Sequence, residues 1–387
     1  MNLRNGKIGI IDLSTGESSE EDFAGDVLTE GVPRELLEKH GPDSIVLGTG
    51  LLTGSLIPAS CVGTLTTGRH TMPILGHAGI ELKLTGFDFL VLKGKASNWG
   101  YIWIRDGIME FVEMPESPQL NSWQRTEKIR SDQGDSKIQV LSGGPWCDAG
   151  SPAAQLVVDH WGGEDKVGMG AEFGKRNLAA VAFRGMGELE VADPEAHFEK
   201  SVALMRGHLS RLALNKGLQS YYEGAAVDDF VSLAHRYIGC YGCPYPCRSY
   251  LKTEEDPKEM RLMHKEPGYL HYDIPALEMA TKVGLSPRDA TRVLVRCARA
   301  GAEPVAVMAA ALASSAHPDV VSIDALLARH DDIRPASKGN FELSFPALKD
   351  YETCLGLGLC PRYWAKVGFD IGAISSCAES ALGHKLM

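Results

Sequence analysis

Residues 240–247 read CYGCPYPC and place three thiols, Cys240, Cys243 and Cys247, on one short loop. Thiolates are soft donors that take zinc or iron–sulfur clusters in preference to hard cations. Zinc sites more often pair two close ligands with two further close ligands, whereas three close thiols and one remote one suit a [4Fe–4S] cluster. Pro244 and Pro246 fix the loop backbone, and no acidic residue lies inside it, so amide N–H groups are able to face cluster sulfides. A fourth ligand has to come from elsewhere, and YETCLGLGLCPRYW offers Cys354 and Cys360. Cys360 is preferred: the Gly-Leu-Gly-Leu turn before it lets backbone approach a cofactor, and Pro361 ends any local helix. Cys61, Cys147, Cys297 and Cys377 are scattered, and a cysteine on its own is usually a small buried hydrophobe. A zinc-bound structural protein using the same cysteines is the competing reading.

The elements that carry these residues change in texture near residue 195. Before it, short apolar runs such as GKIGIIDL, DSIVLG, FDFLVLKGKA, GYIWIRDG, SKIQVLSGG and LAAVAFRG are bounded by Gly, Asp, Asn and Ser, which reads as strands and turns. One helix is expected within 121–134. After residue 195, HFEKSVALMRGHLSRLAL and SPRDATRVLVRCARAG carry apolar residues at helical spacing. In the latter, Ser286 caps, Pro287 suits the first turn, Asp289 stands where a capping-box acid would, and Gly301 stops the helix. The stretch 253–268 is charged enough to be a solvated connection, and no internal repeat is evident. The expectation is an α+β chain: a mainly β domain over 1–195, then a mainly helical domain over 196–387.

The chain has 387 residues, 44% hydrophobic and 23% charged, enough for large cores. A net charge of −11 argues against nucleic acid, which needs a basic face. No apolar run is long enough to enter a membrane, and the first residues have no leader-like pattern. Nine cysteines, an odd number with three crowded together, suit metal ligation in a reduced, cytoplasmic compartment better than a disulfide framework.

Three stretches together resemble the aldehyde:ferredoxin oxidoreductase family, tungsten or molybdenum bis-pterin enzymes with one [4Fe–4S] cluster. They are GHAGIELKLTGFDFLVLKGKA at 76–96, GMGAEFGKRNLAAVAFRG at 168–185, and CYGCPYPC followed downstream by GLGLC; the opening GKIGIIDLSTGE and the GTGLLTGSLIP that follows also match. The resemblance implies a pterin-bearing amino-terminal domain, a cluster held by Cys240, Cys243, Cys247 and Cys360, and ferredoxin or another redox subunit as electron partner. It places Arg69 and His77 against the pterin. In GMGAEFGKRN, Gly168 and Gly170 allow close backbone approach, while Lys166, Lys175 and Arg176 offer cations to a pterin phosphate.

Departures from the family pattern are specific. The aspartates by which the family grips its two pterins align with Ala298, in Ala298-Arg299-Ala300-Gly301-Ala302-Glu303, and with Leu355, in Leu355-Gly356-Leu357-Gly358-Leu359-Cys360. Neither side chain accepts a hydrogen bond, and a buried donor left unpaired costs about 1–3 kcal/mol. The family's Gly-Gly-Arg pterin contact is replaced by PASCVG, with Arg69 out of register. Where the family has its active-site glutamate, the chain reads GYLHYDIPALEMA, with His271 and Asp273 as stand-ins. The stretch between the two altered motifs is also much shorter than in the family, so a partner subunit or an oligomer is expected to cover the exposed face. The expected function is an iron–sulfur electron-transfer or scaffold subunit without tungstopterin. The alternative is an active tungsten or molybdenum oxidoreductase acting on an aldehyde-like substrate.

Overall fold

Apolar residues alternating along short runs give strands whose inner faces need cover, and the fold supplies it from both ends of the chain. The computed structural model describes residues 3–23, 32–160, 163, 165–212, 230–252, 268–271, 273–330, 333–335 and 350–386. The expected connection at 253–268 lies outside them except for Gly268. A first sheet has the order β2-β1-β6-β3-β4-β5, from β1 (Lys7–Asp12), β2 (Glu17–Asp22), β3 (Ile45–Thr49), β4 (Gly63–Thr66), β5 (Thr71–Ile74) and β6 (Phe89–Lys93). A second has the order β10-β9-β11-β7-β8, from β7 (Gly100–Arg105), β8 (Ile108–Glu113), β9 (Gln139–Ser142), β10 (Val157–Val158) and β11 (Leu178–Arg184).

The two sheets repeat one topology. Read as β2-β1-β6-β3-β4 and β8-β7-β11-β9-β10, each opens with an antiparallel hairpin whose first strand pairs in parallel with a later one, β1 with β6 and β7 with β11. Corresponding helices follow the hairpins, Val32–His40 and Ser122–Gln133, and precede the parallel partners, Ala78–Leu84 and Gly170–Gly174. This corrects the expectation of no internal repeat: strand order and apolar alternation are shared, residue identities are not. The helix expected within 121–134 has its Asn121 cap and a left-handed Gly134 at its end.

The second half is mainly helical, with one exception that the sequence did not signal. A three-stranded antiparallel sheet, β12 (Ala234–Ile238), β13 (Arg248–Lys252) and β14 (Gly268–His271), interrupts it. Its strands are short and rich in polar residues, so they carry little alternation. The helix Pro287–Ala300 is as expected: Ser286 Oγ accepts from the Asp289 N–H at 3.2 Å, and Gly301 ends it at φ +68°. Asp289 accepts the Ser286 hydroxyl at 2.7 Å rather than reaching back to the backbone. Pro361 begins the helix Pro361–Val367, while the preceding helix, Tyr351–Leu357, ends earlier at left-handed Gly358.

One core joins Ile11, Leu90 and Ile45 of the first sheet to Ile102, Leu141 and Val181 of the second and to Val293, Leu294 and Met308 of the later helices. A second core gathers Leu51, Leu52, Leu357, Trp364 and Ile374 around the buried cysteines. Among the described residues no helix is long and apolar enough to cross a membrane.

Candidate metal centre

The cysteine loop is the connection between β12 and β13, so a hairpin holds Cys240 and Cys247 near its two ends. The loop is tied to the first sheet: the Tyr241 N–H donates to the Gly76 carbonyl at 3.3 Å and the Ala59 N–H to the Gly242 carbonyl at 3.3 Å. The segment 59–62 also receives the fourth-ligand motif, with Cys360 N–H donating to Ala59 O at 2.9 Å and Val62 N–H to Gly358 O at 3.0 Å. Cys240, Cys247 and Cys360 are buried, and Cys243 is half-buried.

The thiols sense one another. Burial and then the charges of Cys240 and Cys247 push the Cys360 thiol up to about 12, partly offset by the Tyr363 N–H. Burial, followed by Cys360, Cys240 and Cys247, raises Cys243 well above its usual value. Cys240 goes the other way: a hydrogen bond from the Cys61 thiol, then Arg248 and the Gly76 N–H, hold it well below the ordinary thiol range against its burial. Thiols are the donors an iron–sulfur cluster takes, so the chemistry of these residues fits that group. Among the described residues, no three His, Cys, Asp or Glu groups close around a single metal ion.

Cys61 is buried among apolar residues, as expected of a scattered cysteine, but it also meets the thiol loop. It is fully buried, bonds Cys240 and also senses Cys243 and Cys360, because β4 begins two residues later and lays 59–62 between the cysteine loop and Cys360. Only its place in PASCVG, where the family carries a pterin contact, hinted at this. Cys147 and Cys297 are buried singly as expected, and burial raises the Cys147 thiol to about 12. Cys354 sits fully buried in the helix that leads to Cys360.

The other altered motif builds a second polar centre. Gly301 O accepts from the Gln155 N–H at 2.7 Å, and Glu303 N–H donates to Ala153 O at 2.9 Å, matching how Gly358 and Cys360 dock on the first sheet. Glu303 caps the helix Pro304–Ser314 through Val305 N–H at 3.1 Å and Ala306 N–H at 2.6 Å. Lys166 is buried against Asp273 and, at 3.4 Å, Glu303, while Asp273 caps the helix Ile274–Val283. Lys166 and Asp273 are therefore engaged with each other. Backbone register places His271 opposite Ser249 in the small sheet.

The cations expected on one cofactor face are split. Asp165 ties down the Gly-rich loop by accepting from Met169 N–H at 3.0 Å and Gly170 N–H at 2.7 Å. Gly168 and Gly170 face their own chain: a Cβ would meet the Pro152 carbonyl at 1.8 Å and Cys147 Sγ at 2.7 Å. Lys166 precedes the helix Gly170–Gly174, whereas Lys175 and Arg176 follow it and pair with Glu172. Arg69 stands in the exposed turn between β4 and β5. Of the pterin-facing candidates, exposed His77 alone stands beside the thiol loop, its ring 6.2 Å from that of Tyr241. The two pterin-grip positions are apolar and buried, with Ala298 1% and Leu355 5% exposed. These residues do not fit a gripped bis-pterin.

Residues 2–185 match the family described as aldehyde ferredoxin oxidoreductase, N-terminal domain. The chain is 27% identical over 208 residues to a tungsten-containing aldehyde ferredoxin oxidoreductase of Pyrococcus furiosus, covering 48% of this chain and 34% of that protein. It is 30% identical over 220 residues to one of Pyrococcus abyssi, covering 49% and 34%. An aliphatic sulfonate oxidoreductase, WOR-like subunit, of Pyrococcus furiosus is 25% identical over 232 residues, covering 49% and 36%. The match thus spans about a third of the length of these curated relatives. Among solved structures, the active-site complex BamBC of benzoyl coenzyme A reductase, in complex with 1,5-dienoyl-CoA, shares the fold with a TM-score of 0.67 at 17% identity, over 97% of this chain and 64% of that one. Over residues 2–185, which hold both repeated sheets, the chain is thus similar to the amino-terminal domain of the aldehyde ferredoxin oxidoreductase family, as a shortened and divergent relative.

Proposed function

We propose that this chain is an iron–sulfur electron-transfer or scaffold subunit of a redox complex, with Cys240, Cys243, Cys247 and Cys360 holding one [4Fe–4S] cluster and no tungstopterin held by its own residues. The observation that carries the reading is that the cysteine loop and the distant Cys360 both bond to Ala59, with Cys240, Cys247 and Cys360 in one buried cluster. When bound, the cluster supplies one-electron storage at a potential set by charge, hydrogen bonds and exposure. The chain's residues set those conditions. Arg248, the Gly76 N–H and the Cys61 thiol favour negative charge on Cys240, and the Tyr363 N–H does so on Cys360. Trp364, Leu357 and Leu359 exclude water from the inner side. Tyr241 is 45% exposed and leaves the loop tip at the surface, where a partner redox subunit would exchange electrons. The loss of both pterin grips, together with the engagement of Lys166, supports the absence of tungstopterin.

Anaerobically purified protein should contain about four irons per chain, with a broad visible absorption, and neither tungsten nor molybdenum. Cys243→Ser should lose or convert the cluster and collapse that absorption. Stoichiometric tungsten or molybdenum would instead establish the catalytic reading, and zinc without iron would overturn the cluster.

A further inference from the structure

The turn after β4, the residues after β6 and the end of the helix Gly170–Gly174 meet at a groove of about 730 Å³. Five permanent cations line it, Arg69, Lys93, Lys95, Lys175 and Arg176, against the carboxylates of Asp43 and Glu172. In a chain of net charge −11 this is a local reversal of sign. Lys175 and Arg176 share Glu172. Arg69 and Lys95 are exposed, and no salt bridge within 4 Å is seen for them or for Lys93 among the described residues, although Lys93 lies near enough to Glu21 to help lower its carboxyl, so cations outnumber carboxylates in the groove. The groove is also built. Arg176 is buried and pins two of its walls, donating to the Glu172 carbonyl at 2.8 Å and to the Asp43 carbonyl. A second cavity of about 390 Å³ shares Thr67, Gly68 and Arg69 and extends the groove toward Arg34 and His70.

We propose that this groove binds a small molecule carrying two or more phosphate groups, at a site separate from the thiol centre. Its volume suits a small molecule rather than a protein surface. Guanidinium and ammonium groups without carboxylate partners are the donors that phosphates take in charge-assisted bonds. Apart from His40 and His70 the two cavities have no aromatic ring in their walls among the described residues, so recognition rests on charge more than on stacking. Separation follows from the strands. β4 and β5 run from the groove, at Thr66 and Thr71, to the cysteine side, at Gly63 and Gly76. At about 3.3 Å per residue the two ends lie about 10 Å or more apart.

Titration calorimetry of the full chain with inorganic pyrophosphate and with orthophosphate at low ionic strength tests this. One saturable pyrophosphate site, tighter than for orthophosphate, is expected. The exposed pair Arg69→Ala/Lys95→Ala should weaken it at least about tenfold. The pair Lys137→Ala/Lys282→Ala, which removes the same charge elsewhere, should leave it unchanged. Absent saturation, or equal weakening in both double variants, would overturn the site. Iron content is read separately, so the outcome is independent of the cluster.

Discussion

Glu303 and Cys360 hold corresponding places against the second and the first sheet, each two residues after a left-handed glycine, just before a proline and at the N-cap position of the next helix, yet they build opposite kinds of centre. Around Glu303 the charges close on themselves, with Lys166 between two carboxylates and backbone N–H groups on Glu303. Around Cys360 like groups face like, and burial and neighbouring sulfur charge raise the Cys243 and Cys360 thiols while Cys240 is held low. The first centre is complete without a ligand. The second gains most from a bound cation, because several thiolates in one apolar pocket are stable only with positive charge among them.

The largest expected effect tests the closed centre. Lys166→Met leaves two buried carboxylates without their cation and should cost about 3–5 kcal/mol in denaturant unfolding. Burial already raises the Glu303 carboxyl, and losing Lys166 raises it further. Between that raised value and the unfolded value of about 4.3 the folded variant binds more protons than the unfolded chain, so its stability should rise as pH falls through this window. A deficit independent of pH would show that the carboxylates are not what suffers. At the thiol centre, no such intrinsic imbalance should follow removal of one thiol from the iron-free protein.

A smaller effect, of about 1–3 kcal/mol or somewhat more, is expected where each motif docks. A Cβ at Gly50 would lie 1.9 Å from Gly358 N, and one at Gly144 would lie 2.5 Å from the Ala300 carbonyl oxygen. Gly50→Ala and Gly144→Ala should therefore destabilise comparably, with Gly50→Ala also lowering iron content because it shifts Cys360. Equal iron content in the two variants would break the correspondence between docking and ligand placement. The smallest effect concerns Cys61. Cys61→Ala should keep the iron but lower the cluster's reduction potential, since a donor to Cys240 is lost, and Cys61→Ser should restore most of the shift. Loss of iron would make Cys61 a ligand, and an unmoved potential would make it packing alone.

Part of this was legible before the fold. The cysteine loop, the capped helix ending at Gly301 and the strands β1, β3, β6, β7, β9 and β11 follow from local chemistry, whose range is a few residues. The repeat escaped notice because β1 and β7, KIGIID and GYIWIR, share apolar alternation and little else. The small sheet escaped because AHRYI and RSYLK carry no clean alternation.

The sequence by itself determined the family resemblance, the strand-rich first half, the helical second half and the thiols on one loop, since periodicity, turn residues and ligand spacing act locally. Tertiary structure alone decided that Cys61 joins Cys240, that Lys166 is consumed by Asp273 and Glu303, and that Lys175 and Arg176 turn away with Arg69 to a different groove. The physical reason is that strand pairing and core burial set which distant side chains meet, and a helix as short as Gly170–Gly174 suffices to give the cations before and after it different partners.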